Sequence, residues 1–209
     1  MVLAGSRDGL VGRTREALSR GEVARRFVHA SGTALPALYL LDVATWRQVT
    51  VLFALGAAIA LALEVVRLFV GLDWRIYDRL TREYEQDNLA GYALYFLSSL
   101  PVAALFEPRV AVPAILMLTL ADPISGLLGS GELRSAKQTW VLLAMFGVCT
   151  LLGAPFVPPV AAVLGGLAGT VADGVKPVVA GYVIDDNLTI PPAAAVAMTA
   201  GIELAGTLG

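Results

Sequence analysis

Four short stretches of this chain carry residue types that could do chemistry. In "ADPISGLLGSGELRSAKQTW" (residues 121–140), Asp122 and Pro123 close an apolar run. Ser125, Gly126, Gly129 and Gly131 follow, and then Lys137, the first of only two lysines. Glycines let backbone amides approach a phosphate, an aspartate can hold magnesium, and a lysine can neutralise phosphate charge. The stretch is not a Walker A loop, because GxxxxGK[ST] is absent. An Asp-Pro helix stop before a flexible turn accounts for the same residues structurally. "LAGTVADGVKP" places Asp173 three residues before Lys176, and "VIDDNLTIPPA" sets Asp185, Asp186 and Asn187 directly before the last apolar segment. Aspartate and asparagine supply the hard oxygens suited to magnesium, an ion that usually shares its shell with water and substrate phosphates. The structural alternative is an N-cap on a helix starting near Pro191, although two acids beside an asparagine exceed what a cap needs. In "EVARRFVHASG", His29 follows Arg25 by four residues and Arg26 by three, so a helix would stack them on one face. Guanidinium forks suit phosphate oxygens, and an imidazole can donate a hydrogen bond or exchange a proton. The same stretch also serves as a basic membrane anchor.

The elements that must position these residues are apolar. Of 209 residues, 57% are hydrophobic and 15% charged, and the mean hydropathy is +0.73, which marks an integral membrane protein. Its 15 basic and 17 acidic residues nearly cancel, so net charge does not point to nucleic acid as a partner. The single cysteine, Cys149, excludes an intrachain disulfide. A span needs roughly 20 apolar residues, and seven candidates emerge, at about 27–43, 49–70, 89–106, 109–121, 139–156, 158–172 and 189–208. The expected fold is therefore all-α: one polytopic transmembrane bundle over residues 1–209, with an Arg-rich arm at 1–25. The fourth and sixth spans are short and flanked by proline or glycine, a pattern of broken helices facing a cavity.

With the amino terminus in the cytoplasm, thirteen basic residues fall inside and only Arg47 and Arg109 outside, a strong positive-inside bias. Every cluster named above then lies on the cytoplasmic side, as a water-soluble reactant would require. Glu64 and Arg67, three apart near the inner end of the second span, read as an ion pair fixing helix packing. The following loop, 71–88, alternates charges with Trp74, Ile76, Tyr77, Leu80 and Tyr84, as an amphipathic helix on the inner surface would.

Taken in order, "RRFVHASG", "LEVVRL", "REYEQDNLAGYALYFLSS", "ADPISGLLGS" with Lys137 downstream, and "DDNLTIP" resemble the CTP-dependent polyprenol kinase family, which includes dolichol kinase, phytol kinase and the CTP-dependent diacylglycerol kinase. The resemblance covers roughly residues 22–200, and "DNLTIP" is its most specific piece. It implies magnesium-assisted transfer of the γ-phosphoryl group of CTP to the hydroxyl of a long-chain isoprenoid alcohol at the cytoplasmic membrane face. On this reading Asp122, Lys137, Asp186 and His29 are catalytic. Arg25, Arg26, Ser125, Gly126, Gly129, Lys176 and Asn187 bind the nucleotide, and Asp122, Asp173, Asp185 and Asp186 hold Mg2+. Relatives carry a Lys-Ser-x-Glu-Gly-like string where this chain reads "AKQTWVL", which leaves Glu132 as a substitute acid. Two other functions compete. A CTP-dependent cytidylyltransferase of a lipid phosphate shares the nucleotide, the metal and the membrane setting. A small transporter would instead place polar residues deep in several spans, where only Glu64 and Glu203 approach that pattern.

Overall fold

The computed structural model describes residues 29–70, 88–129, 138–175, 177–179 and 182–208. The arm at 1–25, Arg25, Arg26, the loop through residue 87, Glu132, Lys137 and Lys176 lie outside the described residues. Each of the seven apolar segments contains a helix. In chain order they are α1 (Ala34–Leu40), α2 (Trp46–Val65) prolonged by a π turn (Val66–Val70), α3 (Gly91–Leu105) and α4 (Pro108–Leu116). A second π turn (Met117–Ala121) joins α4 to α5 (Asp122–Leu128), and α6 (Thr139–Gly153), α7 (Pro159–Gly174) and α8 (Asp186–Leu208) follow. The only strands among the described residues are β1 (Val178–Val179) and β2 (Tyr182–Val183), a two-residue antiparallel hairpin between α7 and α8. Among the described residues, three helices are long and apolar enough to cross a membrane: Trp46–Phe69, Pro108–Leu128 and Asp186–Thr207. Gly91–Leu105, Thr139–Gly153 and Pro159–Gly174 are apolar but shorter.

Local signals explain the starts. Thr45 and Gln48 form a reciprocal capping box at α2. Pro108 and Pro159 occupy the first turns of α4 and α7, where a missing N–H is harmless. Along α2 the buried residues Val49, Phe53, Ala57, Ala60 and Glu64 form one stripe, while Val51, Leu55 and Ile59 are exposed. Helix α4 is apolar all round because it is buried all round, from Val110 to Leu116.

Two expectations fail. The fourth segment was expected to stop at Asp122–Pro123; instead the helix passes through both and ends at Leu128, with Gly129 extended beyond it. The ring of Pro123 would press on the carbonyl one turn back, and the widened π turn just before it relieves that crowding. Gly126 consequently sits inside a helix rather than in a flexible turn. The sixth segment was expected to be broken, but α7 is continuous. Its glycines serve close packing instead.

The packing of α7 against α8 shows how. A Cβ on Gly165 would lie 2.3 Å from Met198 Cγ, and one on Gly201 only 2.5 Å from Ala161 Cα. Gly169 faces Ile190. Contacts that advance along α7 from residue 161 to 165 to 169 thus run backward along α8 from 201 to 198 to 190, which makes the pair antiparallel and nearly backbone to backbone. On the other side of α7, Gly166 abuts Thr150 of α6. Small residues at such crossings let helices associate through dispersion when lipid removes the hydrophobic drive. Because the neighbour of Gly201 is backbone, which cannot swing away, Gly201→Ala is expected to lower stability by roughly 1–3 kcal/mol. Thermal unfolding in detergent measures this, and an unchanged midpoint would contradict the packing.

Helix α3 runs antiparallel to α2. Trp46 Nε1 donates to the Ala103 carbonyl (3.0 Å) at one end, and Glu64 meets the start of α3 at the other. There Glu64, almost fully buried, accepts from Arg67 Nη2 (2.6 Å) and Nε (3.1 Å), from the Ala90 N–H (3.2 Å) and from the Tyr92 hydroxyl. Arg67 also donates to the Asn88 carbonyl. The expected ion pair therefore also joins the end of α2 to the residues just before α3.

Candidate functional site

The site forms where α5 leaves its π turn, α7 ends and α8 begins. Carboxylate oxygens of Asp122, Asp173 and Asp186 all lie within 4.8 Å of one another. The antiparallel packing accounts for the meeting. Gly169 of α7 packs against Met117, Cys149 and Ile190. Asp173 lies one turn beyond Gly169, and Asp186 one turn before Ile190. Asp122 is five residues past Met117, whose carbonyl accepts the Asp122 N–H across the π turn. Five residues make a little more than one turn of π-helix, whereas in an α-helix, at about 100° per residue, the fifth residue would point roughly 140° away. The π turn thus keeps Asp122 in phase with Met117.

Asp173 and Asp186 are almost fully buried. Asp122 keeps a side chain 14% exposed. Their positions on the helices differ electrostatically. Asp186 stands in the first turn of α8, where the helix dipole favours an anion. Asp173 stands in the last turn of α7, among carbonyl ends that disfavour one. Ser125 Oγ donates to Asp173 Oδ2 (2.9 Å) across the gap between α5 and α7, fixing the orientation of that carboxylate. A cation among the three acids would offset both their mutual repulsion and the unfavourable dipole at Asp173.

The segment before α1 brings the histidine in. Thr33 Oγ1 donates to Thr119 Oγ1 (2.9 Å), and Tyr95 Oη donates to the Gly32 carbonyl (2.8 Å). A Cβ at Gly32 would crowd this contact, lying 3.0 Å from both Thr119 Cγ2 and Tyr95 Cζ. Three residues before Gly32, His29 Nδ1 reaches within 3.7 Å of Asp122 Oδ2.

Of the residues expected at the site, Asp122, Asp173, Asp186, His29 and Ser125 are brought together. Gly126 and Gly129 lie on and just past α5. Asp185, expected as a magnesium ligand, takes a different place: its Oδ1 accepts from the Asn187 N–H (3.0 Å) and side-chain amide, the arrangement of an N-cap. Helix α8 begins at Asp186, five residues earlier than the alternative start near Pro191. Asn187, expected on the nucleotide, turns its amide to Asp185. Residues not anticipated are Thr33, Tyr95, Ser98 and Thr119. Their signals were hydroxyls inside apolar runs ("YFLSSL", "MLTLAD"), costly in lipid without a partner. No protein-family model, curated protein or solved structure matches this chain.

Proposed function

We propose that the protein is a membrane-embedded, CTP-dependent kinase that phosphorylates a long-chain isoprenoid alcohol, with its acidic site facing the cytoplasm. The observation that carries this reading is the convergence of Asp122, Asp173 and Asp186 from three helices onto one point. The thirteen-to-two distribution of basic residues supports a cytoplasmic site and a bundle in which all seven helical segments lie in the membrane.

Three hard carboxylate oxygens so close together fit a small divalent cation such as Mg2+. Asp122, Asp173 and Asp186 are the residues that would hold it. Bound there, Mg2+ would offset charge on the nucleotide phosphates and help orient them. The protein's own groups do the rest. Ser125 keeps Asp173 aimed at the site, and Asp185 with Asn187 fixes the first turn of α8 so that Asp186 faces its partners. In the reaction the acceptor hydroxyl oxygen bonds to the γ-phosphorus, the bond to the β–γ bridging oxygen breaks, and CDP leaves. His29, beside Asp122, is the group placed to take the hydroxyl proton. Phosphoryl transfer asks mainly for alignment and charge stabilisation of this kind.

A cytidylyltransferase would use the same ingredients but break the α–β bond. Product identity separates the two. Purified protein incubated with CTP, Mg2+ and a panel of lipid alcohols is expected to yield CDP and a phosphorylated lipid. Pyrophosphate as product, with a lipid phosphate required as acceptor, would refute the kinase reading.

A further inference from the structure

We infer that Ser98 of α3 is a positioning residue for the acidic site, acting through the Asn187 carbonyl. In a regular helix the Asn187 carbonyl would accept from the N–H four residues on. That residue is Pro191, which has no N–H, and it lies inside α8. The carbonyl is therefore left without its intrahelical donor in the turn that carries Asp186. Ser98 Oγ supplies the replacement, at 2.6 Å, from a fully buried position on a different helix. The same hydroxyl is 3.2 Å from the Tyr95 carbonyl of its own helix, so the bond to Asn187 is the shorter and better of the two.

The consequence for the site is geometric. Asn187 follows Asp186 directly, and its N–H lies 3.0 Å from Asp185 Oδ1 and 3.1 Å from Asp186 Oδ1. Anchoring the Asn187 carbonyl to α3 holds one side of this residue, while the acids hold the other. The first turn of α8 is thereby fixed against α3 as well as α7, and Asp186 is held toward Asp122 and Asp173. Hydrogen bonds one step removed from a cation site commonly change affinity by about 10–100-fold when lost. The inference rests on the reading of Asp122, Asp173 and Asp186 as one cation site.

The test uses Mn2+ as probe, titrated into the full-length purified protein in nanodiscs and read by calorimetry or by the spin-resonance signal of free Mn2+. Ser98→Ala is expected to weaken Mn2+ binding about 10-fold, and Ser98→Thr, which keeps the hydroxyl, to bind like the wild type. Pro191→Ala restores an N–H at the fourth position, so Ser98→Ala in that background should bind within about 2-fold of Pro191→Ala alone. The paired background also covers the case in which Ser98→Ala fails to fold by itself. A general packing defect at Ser98 would not be repaired from Pro191. Unchanged Mn2+ affinity in Ser98→Ala, with Asp186→Asn losing it, would overturn the positioning role while leaving the cation site intact. A loss that Pro191→Ala does not repair would overturn the route through the Asn187 carbonyl. Unaltered Mn2+ binding in Asp186→Asn would remove the cation site itself, and this inference with it.

Discussion

Asp122→Asn, Asp173→Asn and Asp186→Asn are each expected to reduce CTP-dependent lipid phosphorylation by roughly 10²–10³-fold, and to weaken Mn2+ binding in parallel. The substitution keeps side-chain volume and removes only charge and one acceptor oxygen, so the helices should still assemble. The three acids occupy one volume and reach it from α5, α7 and α8, so their effects should not add. Once one is lost, losing a second costs little more, as for any set of groups acting as a unit. Asp185→Asn should behave differently. Its carboxylate caps α8 through Asn187, and an asparagine oxygen accepts the same N–H. Activity within a few-fold of wild type is therefore expected. Equal losses in Asp185→Asn and Asp186→Asn would contradict the division of roles between these neighbours.

The second large effect concerns stability. Arg67→Met is expected to cost about 3–5 kcal/mol, because it leaves the buried Glu64 carboxylate without the cation that faces it. The Ala90 N–H and Tyr92 hydroxyl remain as donors, but both are neutral. Replacing the pair together, as Glu64→Gln with Arg67→Met, removes the stranded charge and should recover a substantial part of the loss. Thermal unfolding of single and double variants in detergent measures this directly. A single variant as stable as wild type would show that the pair contributes nothing to holding α2 against α3.

How much of this was legible in the sequence differs by element. The helices were, because runs of about 20 apolar residues leave the backbone no other way to satisfy its own hydrogen bonds. The end of the fourth helix was not. Asp122–Pro123 reads as a stop, and only the π turn before Pro123 allows the chain to continue to Leu128. That same turn decides which residue faces the site, so its effect could not be read from α-helical spacing. Residue chemistry picks out the aspartates as a group, but not how they divide. Asp185 and Asp186 are equivalent by type, and only the direction in which α8 starts makes one a cap and the other a partner of Asp122 and Asp173. The glycines within α7 are a comparable case. In a single chain a glycine reads as a break, whereas against Met198 and Thr150 it is the residue that lets two helices touch. Ser98 reads as part of an apolar span, and Pro191, four residues after Asn187, is the sequence signal that a carbonyl there needs a donor from elsewhere.

Transfer of label from CTP carrying a radioactive γ-phosphate tests the central claim most directly, with the protein reconstituted in vesicles containing a polyprenol and Mg2+ present. The account predicts labelled polyprenyl phosphate and unlabelled CDP from the wild type, and neither from the variant in which Asp122, Asp173 and Asp186 are all asparagine. Label released as pyrophosphate by the wild type, or polyprenol phosphorylation at the wild-type rate by the triple variant, would contradict it.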